Sequence, residues 1–229
     1  MSENIHAGHR DRLRNEILSS DPVKPPSPEK LLEMLLFYGI PRQDTAPIAR
    51  ELIARFGDLS GVLNADIESL VEVKGVTRNA ASLIKLMLPI SRSYVISKYK
   101  EIDALKTLDE VAEYLVSRFY GVEGECFTVL CLNRLGKVLS CEMISGGSDT
   151  VSISLRGFLE KILRTEATAV AIAHNHPSGI ALPSRQDVEL TRQLKRALDA
   201  VSINLLDHII VADGDYVSMA LSKEFDDIF

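Results

Sequence analysis

His174 and His176 stand one residue apart at the end of an apolar run, Thr168 to Ala173, that reads as a buried strand. On an extended chain, side chains two apart point to the same side, so both imidazoles can be offered to one point; on a helix they would diverge by about 200°. Seven residues separate His176 from Ser184, and two more separate Ser184 from Asp187. The segment Pro183-Ser184-Arg185-Gln186-Asp187 opens a helix that continues through Leu190, Leu194 and Leu198. Ser184-x-x-Asp187 is an ordinary capping box. Asp187 also lies three residues before Leu190 and seven before Leu194, on the apolar face, so its carboxylate starts out pointing inward. It can therefore cap the helix and be the best candidate for a third ligand at once. Pro177, Gly179 and Pro183 supply the turn that carries the helix start back over the strand end. Two imidazoles and a carboxylate, with a fourth position left to water, form the donor set of a catalytic metal, and their softness selects Zn2+.

Other reactive side chains carry less. Cys126, Cys131 and Cys141 sit in or beside apolar strands and read as small buried hydrophobes; no Cys-x-x-Cys is present. His208, inside the strand Leu205 to Val211, reads as a hydrogen-bonded core residue rather than a fourth ligand. Ser145-Gly146-Gly147-Ser148 either rims a site or turns the chain. Ser178 and Ser184 have no base to activate them once both histidines are ligands, which excludes a serine-protease arrangement.

The elements that must position these residues occupy the second half of the chain. Thr107 and Glu110 form a capping box opening a helix through Leu115. Phe127 to Leu132 and Val138 to Ile144 read as strands joined by a turn at Asn133 to Lys137. Leu155, Phe158, Leu159, Ile162 and Leu163 have helical spacing.

The first half reads as helices. After the basic segment His9 to Arg14, Ser27-Pro28-Glu29 opens a helix with Leu31, Leu32, Leu35 and Leu36, closed by Gly39 and Pro41. Asp44 is expected to cap a second helix with Ile48, Leu52, Ile53 and Phe56 on its apolar face and Gly57 at its end. Asn64 to Leu70, the turn Val73-Lys74-Gly75-Val76-Thr77, and a helix with Ala80, Leu83, Ile84 and Met87 then make a hairpin. It resembles the helix-hairpin-helix of DNA-binding proteins, whose turn runs Gly, aliphatic, Gly so that backbone N–H groups approach a phosphate. Here Thr77 replaces the second glycine. Lys74 and Arg78 could still meet phosphates as charges, and a purely structural helical unit is the equal alternative.

The chain has 229 residues, 46% of them hydrophobic, and exceeds the commonest single-domain size. The expected division is a helical domain over 1–100 with the hairpin at about 58–90, a linker at 101–106, and a second domain over 107–229. Residues 1–100 hold 14 basic and 12 acidic side chains and residues 101–229 hold 12 and 20, so the formal net charge of −6 is concentrated in the second half. That balance excludes a chain-wide basic surface for nucleic acid. Charges throughout the first twenty residues, three cysteines and no unbroken apolar stretch of membrane length exclude a secretory signal, a disulfide scaffold and a membrane span. The expected location is the cytoplasm.

The ligand pattern resembles the JAMM motif of MPN-domain metalloproteases. His174-Asn175-His176-Pro177-Ser178-Gly179 with Pro183-Ser184 is the form typical of the bacterial RadC family. The resemblance extends over most of the chain, through Gly8-His9-Arg10, Leu35-Leu36-Phe37-Tyr38, Ile40-Pro41-Arg42, Asp44, the hairpin turn and Leu205-Leu206-Asp207-His208. It implies an all-α N-terminal domain with a helix-hairpin-helix, followed by an α/β (α+β) MPN/JAMM domain of cytidine-deaminase-like three-layer architecture. It also implies zinc ligation by His174, His176 and Asp187, a peptide or protein substrate, an oxyanion-stabilising role for Ser184, and an upstream glutamate as general base. The family places that glutamate just before the first long strand, where Glu125 stands; Glu123 and Glu142 are its rivals.

The function expected is metal-assisted hydrolysis of a peptide or isopeptide bond. The alternatives are a metal-dependent nuclease and a DNA-associated binding protein acting through the helical half, the family being associated with DNA repair. The letters His-Asn-His are contiguous here, whereas the nuclease motif of that name spreads its residues over a β-β-α finger. A pure binding protein has no reason to assemble a complete ligand set.

Overall fold

The computed structural model describes residues 5–21, 23–99, 103–122, 124–145, 155–212 and 215–229. The chain divides into two compact units, Met1–Ser91 and Arg92–Phe229.

The first unit is helical: α1 (Ile5–Leu18), α2 (Pro28–Gly39), α3 (Ala46–Phe56), α4 (Leu59–Asn64), α5 (Ile67–Val71), and α6 (Arg78–Lys98), which runs past the unit's end. Its core gathers Leu32, Leu36, Leu52, Leu70 and Ile84. Pro28 starts α2, where its missing N–H costs nothing, and of the four leucines expected on the apolar face Leu31 is exposed while Leu32 and Leu36 are buried. The basic segment at 9–14 is part of α1, and His9 and Arg10 are engaged within the unit. Arg10 lies 4.7 Å over the Phe37 ring and donates to the carbonyls of Ile40 and Gln43 at 3.1 and 2.7 Å, satisfying acceptors beyond the end of α2. His9 pairs with the buried Glu33 at 2.7 Å.

Two details differ from the sequence reading. The N-cap position of α3 is Thr45 rather than Asp44, although the Asp44 carboxylate still accepts from the Ala46 N–H at 3.1 Å. The stretch expected as one element at Asn64 to Leu70 is broken, because Asp58 and Asp66 each cap a separate short helix.

The second unit carries a five-stranded sheet in the order β2-β1-β3-β4-β5: β1 (Cys126–Leu132), β2 (Val138–Ser145), β3 (Ala169–Asn175), β4 (Asn204–Ala212) and β5 (Asp215–Ser218). Only β3 and β4 pair in parallel, and the helix between them, α9 (Arg185–Asp199), makes the crossover. Helix α7 (Leu108–Val116) starts at the capping box expected from Thr107 and Glu110. It packs through Val111, Ala112 and Leu115 on Leu130, Leu132, Ala171 and Ala173. On the other face, Ile162 and Phe158 of α8 (Leu155–Leu163) with Leu194 and Leu198 of α9 cover Val129, Cys131, Val170 and Ile172. The alternation along β3 therefore commits His174, two residues beyond Ile172, to the α9 side.

Strand β5 escapes a periodicity argument because four residues, Asp-Tyr-Val-Ser, are too few to show one. Its far end is tied down by the buried Asp207, which accepts from Ser218 Oγ at 2.5 Å and from the Ala220 N–H at 2.9 Å. Burial pushes the Asp207 carboxyl up, and these donors oppose that shift. Asp207→Asn is expected to cost about 1–3 kcal/mol, since an amide offers a donor where both partners already donate. A lower midpoint in urea at unchanged slope checks it; an unchanged midpoint would show that the carboxylate is dispensable.

Candidate metal centre

Strand β3 ends by delivering two imidazoles to one place. His174 Nε2 and His176 Nε2 lie 2.9 Å apart. Asp187, in the first turn of α9, reaches them with its two oxygens: Oδ1 is 3.2 Å from His174 Nε2 and Oδ2 is 3.5 Å from His176 Nε2. One atom from each residue lies within 4.8 Å of the others, the one such His/Cys/Asp/Glu group among the described residues. The capping box is present in the same residues. Asp187 N donates to Ser184 Oγ at 3.2 Å, and Ser184 N donates to Asp187 Oδ2 at 2.7 Å. Helix capping thus fixes the carboxylate by one oxygen and leaves Oδ1 facing the histidines. Burial alone pushes the Asp187 carboxyl up, but the contact with the His174 ring and the hydrogen bonds from Ser184 outweigh it and hold the group well below its ordinary range.

The His176 ring is oriented by its own loop. Its Nδ1 lies 2.9 Å from the Ile180 carbonyl, which can only accept, so the proton sits on Nδ1 and the Nε2 lone pair faces His174 and Asp187. Two imidazole nitrogens and a carboxylate oxygen converging this closely fit a first-row divalent cation such as zinc.

Behind the His174 ring lies a second layer that the ligand pattern does not reveal. His174 Nδ1 is 2.9 Å from His208 Nε2, and His208 Nδ1 is 2.6 Å from Thr191 Oγ1. Both His208 and Thr191 are fully buried. Burial first, and then the neighbouring His174, hold His208 well below the usual imidazole range. Phe127 of β1 pairs with His174 across the sheet and stacks on its ring, with centroids 6.3 Å apart.

Glu125 precedes β1 and is exposed. Glu125 stands two residues before Phe127, the residue of β1 that pairs with His174. Asn175, between the two histidines and buried, holds both flanking peptides: it accepts from Cys126 N at 2.7 Å and donates to the Gly124 carbonyl at 2.8 Å. Its polarity inside an otherwise apolar strand was the signal in the sequence. The rival Glu142 lies in mid-strand opposite Val129 and pairs with Lys161 at 2.7 Å. Glu123 and Gly146 to Ser148 lie outside the described residues. Ser184 is exposed beside Asp187. Cys126 and Cys131 are buried, Cys141 is partly so, and all three are free thiols outside the cluster.

A family model described as the RadC-like JAB domain matches residues 105–224. The chain belongs to the RadC family. Among its relatives is the UPF0758 protein SPO0054 of Ruegeria pomeroyi, 33% identical over 217 residues, which span 94% of this chain and 96% of that one. RadC family membership therefore extends beyond the JAB domain to the helical unit, and it brings the His-His-Asp group within a domain type that commonly binds a metal. No helix among the described residues of this RadC protein is long and apolar enough to cross a membrane.

In the helical unit Gly75 has φ +96° and its missing Cβ leaves room for Ile48, whose Cδ1 would otherwise be 2.8 Å away. Thr77 does more than replace a glycine. Its hydroxyl accepts from Ala80 N at 3.2 Å, taking up one of the amides at the start of α6 that a phosphate would need. Arg78 faces Glu68 at 3.5 Å on the surface, and Lys74 is exposed.

Proposed function

We propose that this protein is a JAMM-type zinc metallopeptidase that hydrolyses a peptide or isopeptide bond in a protein substrate, with His174, His176 and Asp187 as the metal ligands. The observation that carries the reading is the convergence of two imidazole Nε2 atoms and one carboxylate at a strand end. A zinc ion held there would lower the pKa of a water ligand from about 16 towards about 7 and polarise a substrate carbonyl. The chain's own residues supply the rest. Glu125, two residues before the strand residue that pairs with His174, takes a proton from the attacking water and passes it to the leaving amine. Ser184 Oγ accepts from Asp187 N, which leaves its hydroxyl hydrogen free to donate to the carbonyl oxygen as that oxygen gains negative charge. Asn175, by holding the peptides on both sides of Glu125, keeps the base from drifting with its loop. In this reading residues 107–229 form a domain of cytidine-deaminase-like three-layer architecture, and the protein works in the cytoplasm.

The test is metal analysis of the purified protein followed by parallel assays on peptide libraries and on duplex and single-stranded DNA. Zinc-dependent peptide cleavage supports the proposal. Metal-dependent DNA cleavage without peptide cleavage would replace it with the nuclease.

For the helical unit, read as a helix-hairpin-helix, we propose at most a charge contact with nucleic acid through Lys74 and Arg78. Thr77 Oγ1 already occupies the Ala80 amide, so wild-type binding to duplex DNA is expected to be weak and steeply salt-dependent, its slope falling by about one for each charge removed. Thr77→Gly should tighten it, because losing this cap to glycine costs only a few tenths of a kcal/mol while freeing the amide. Fluorescence anisotropy at low salt reads the result. No binding by either protein would make the unit a packing or substrate-selecting module.

A further inference from the structure

The hydrogen bonds behind His174 have a direction, and it can be worked out one proton at a time. Thr191 Oγ1 lies 2.6 Å from the Asp187 carbonyl oxygen and 2.6 Å from His208 Nδ1. The carbonyl has no hydrogen to give. Two oxygens at 2.6 Å need a hydrogen between them, so the Thr191 hydroxyl donates to Asp187. Having spent its one hydrogen, Thr191 Oγ1 must accept from His208, and the His208 proton is on Nδ1. His208 is fully buried, its hydrogen-bond partners are Thr191 and His174 with no carboxylate among them, and so the one proton it needs is the one on Nδ1; its Nε2 is then bare, and His174 Nδ1, 2.9 Å away, must be the donor to it. A neutral His174 with its proton on Nδ1 has its Nε2 lone pair open. That lone pair, the His176 Nε2 lone pair and Asp187 Oδ1 then converge with no hydrogen among them, an arrangement that a cation bound between them would satisfy.

We infer that Thr191 and His208 form a one-way hydrogen-bond relay that fixes His174 in its metal-binding tautomer, so that the helix supplying Asp187 also prepares the first histidine. The inference rests on the metal reading above and adds two positioning residues to it. The coupling follows from helix geometry, since Thr191 lies one turn after Asp187 and bonds to its carbonyl. Movement of the start of α9 would therefore disturb two ligands together. The opposite relay, with Thr191 donating to His208, would place a proton on His174 Nε2 and leave two oxygen lone pairs facing each other at 2.6 Å.

Zinc affinity by competition with a chelator and imidazole tautomers by long-range 15N NMR, both on the full chain, test this. Thr191→Val is nearly isosteric but cannot accept from His208, and it is expected to weaken zinc binding by about 10- to 100-fold. Thr191→Ser keeps the hydroxyl and should bind close to wild type. His208→Leu should weaken binding and His208→Gln, whose amide oxygen can accept from His174 Nδ1, should restore most of it. In the wild-type spectrum His208 should carry its proton on Nδ1, with or without zinc. A folded Thr191→Val with wild-type zinc affinity, a Thr191→Ser as weak as the valine variant, or a His208 protonated on Nε2 would each overturn the relay. If valine prevents folding, the serine and glutamine variants and the wild-type spectrum still decide. Wild-type protein that binds no zinc would instead overturn the metal reading, while the His208 tautomer would still report on the relay.

Discussion

Glu125→Gln is expected to reduce hydrolysis by about 10^2- to 10^4-fold while leaving zinc content at the wild-type level. The amide keeps the shape of the glutamate but cannot take a proton from water. The loop that presents it is held from β3 by Asn175 through the peptides of Gly124 and Cys126, so the substitution should not move the backbone. Turnover of a peptide that the wild type cleaves, measured beside metal content, checks both halves of the expectation. Full activity would put the base elsewhere. Glu142 is already committed to Lys161, so Glu123 would be tested next.

His176→Ala is expected to abolish tight zinc binding and leave the fold intact. It removes one of three proposed ligands, and among the described residues outside the cluster the ring is bonded to its own loop at Ile180. The readout is the stabilisation that zinc confers. A ligand at a hundred times its dissociation constant raises stability by about 2.7 kcal/mol, which shifts the thermal midpoint by several degrees. Wild type should show that shift and His176→Ala should show none. A variant stabilised by zinc as strongly as wild type would remove His176 from the site.

The ligand group was legible because strand and helix periodicities are simple. A His-x-His at a strand end must put both rings on one side, and the capping box fixed the start of α9. Asp187 was placed inward by its spacing to Leu190 and Leu194, yet the buried face of the helix is Thr191, Leu194 and Leu198, and Leu190 is 36% exposed. The conclusion survived because Leu194 alone sets the same face. Thr191 was not legible: a threonine amid apolar helix positions looks like a tolerated substitution until the partner from β4 is in place. His208 was read as a bonded core residue, and only the parallel pairing of β3 with β4 sets it behind His174. The partners of His9 and Arg10 were not legible either, because Glu33, Phe37 and the carbonyls after α2 lie far along the chain from them.

X-ray absorption at the zinc edge of the zinc-loaded full chain tests the metal centre most directly, because it reads ligand type without a substrate. The expected spectrum has a first shell of nitrogen and oxygen at about 2.0–2.2 Å, the outer-shell scattering of two imidazoles and no sulfur at about 2.3 Å. His176→Ala put through the same loading should retain no zinc at the site, which would complete the assignment. A sulfur shell, which would bring in Cys126, Cys131 or Cys141, or a zinc site without imidazole scattering would contradict it.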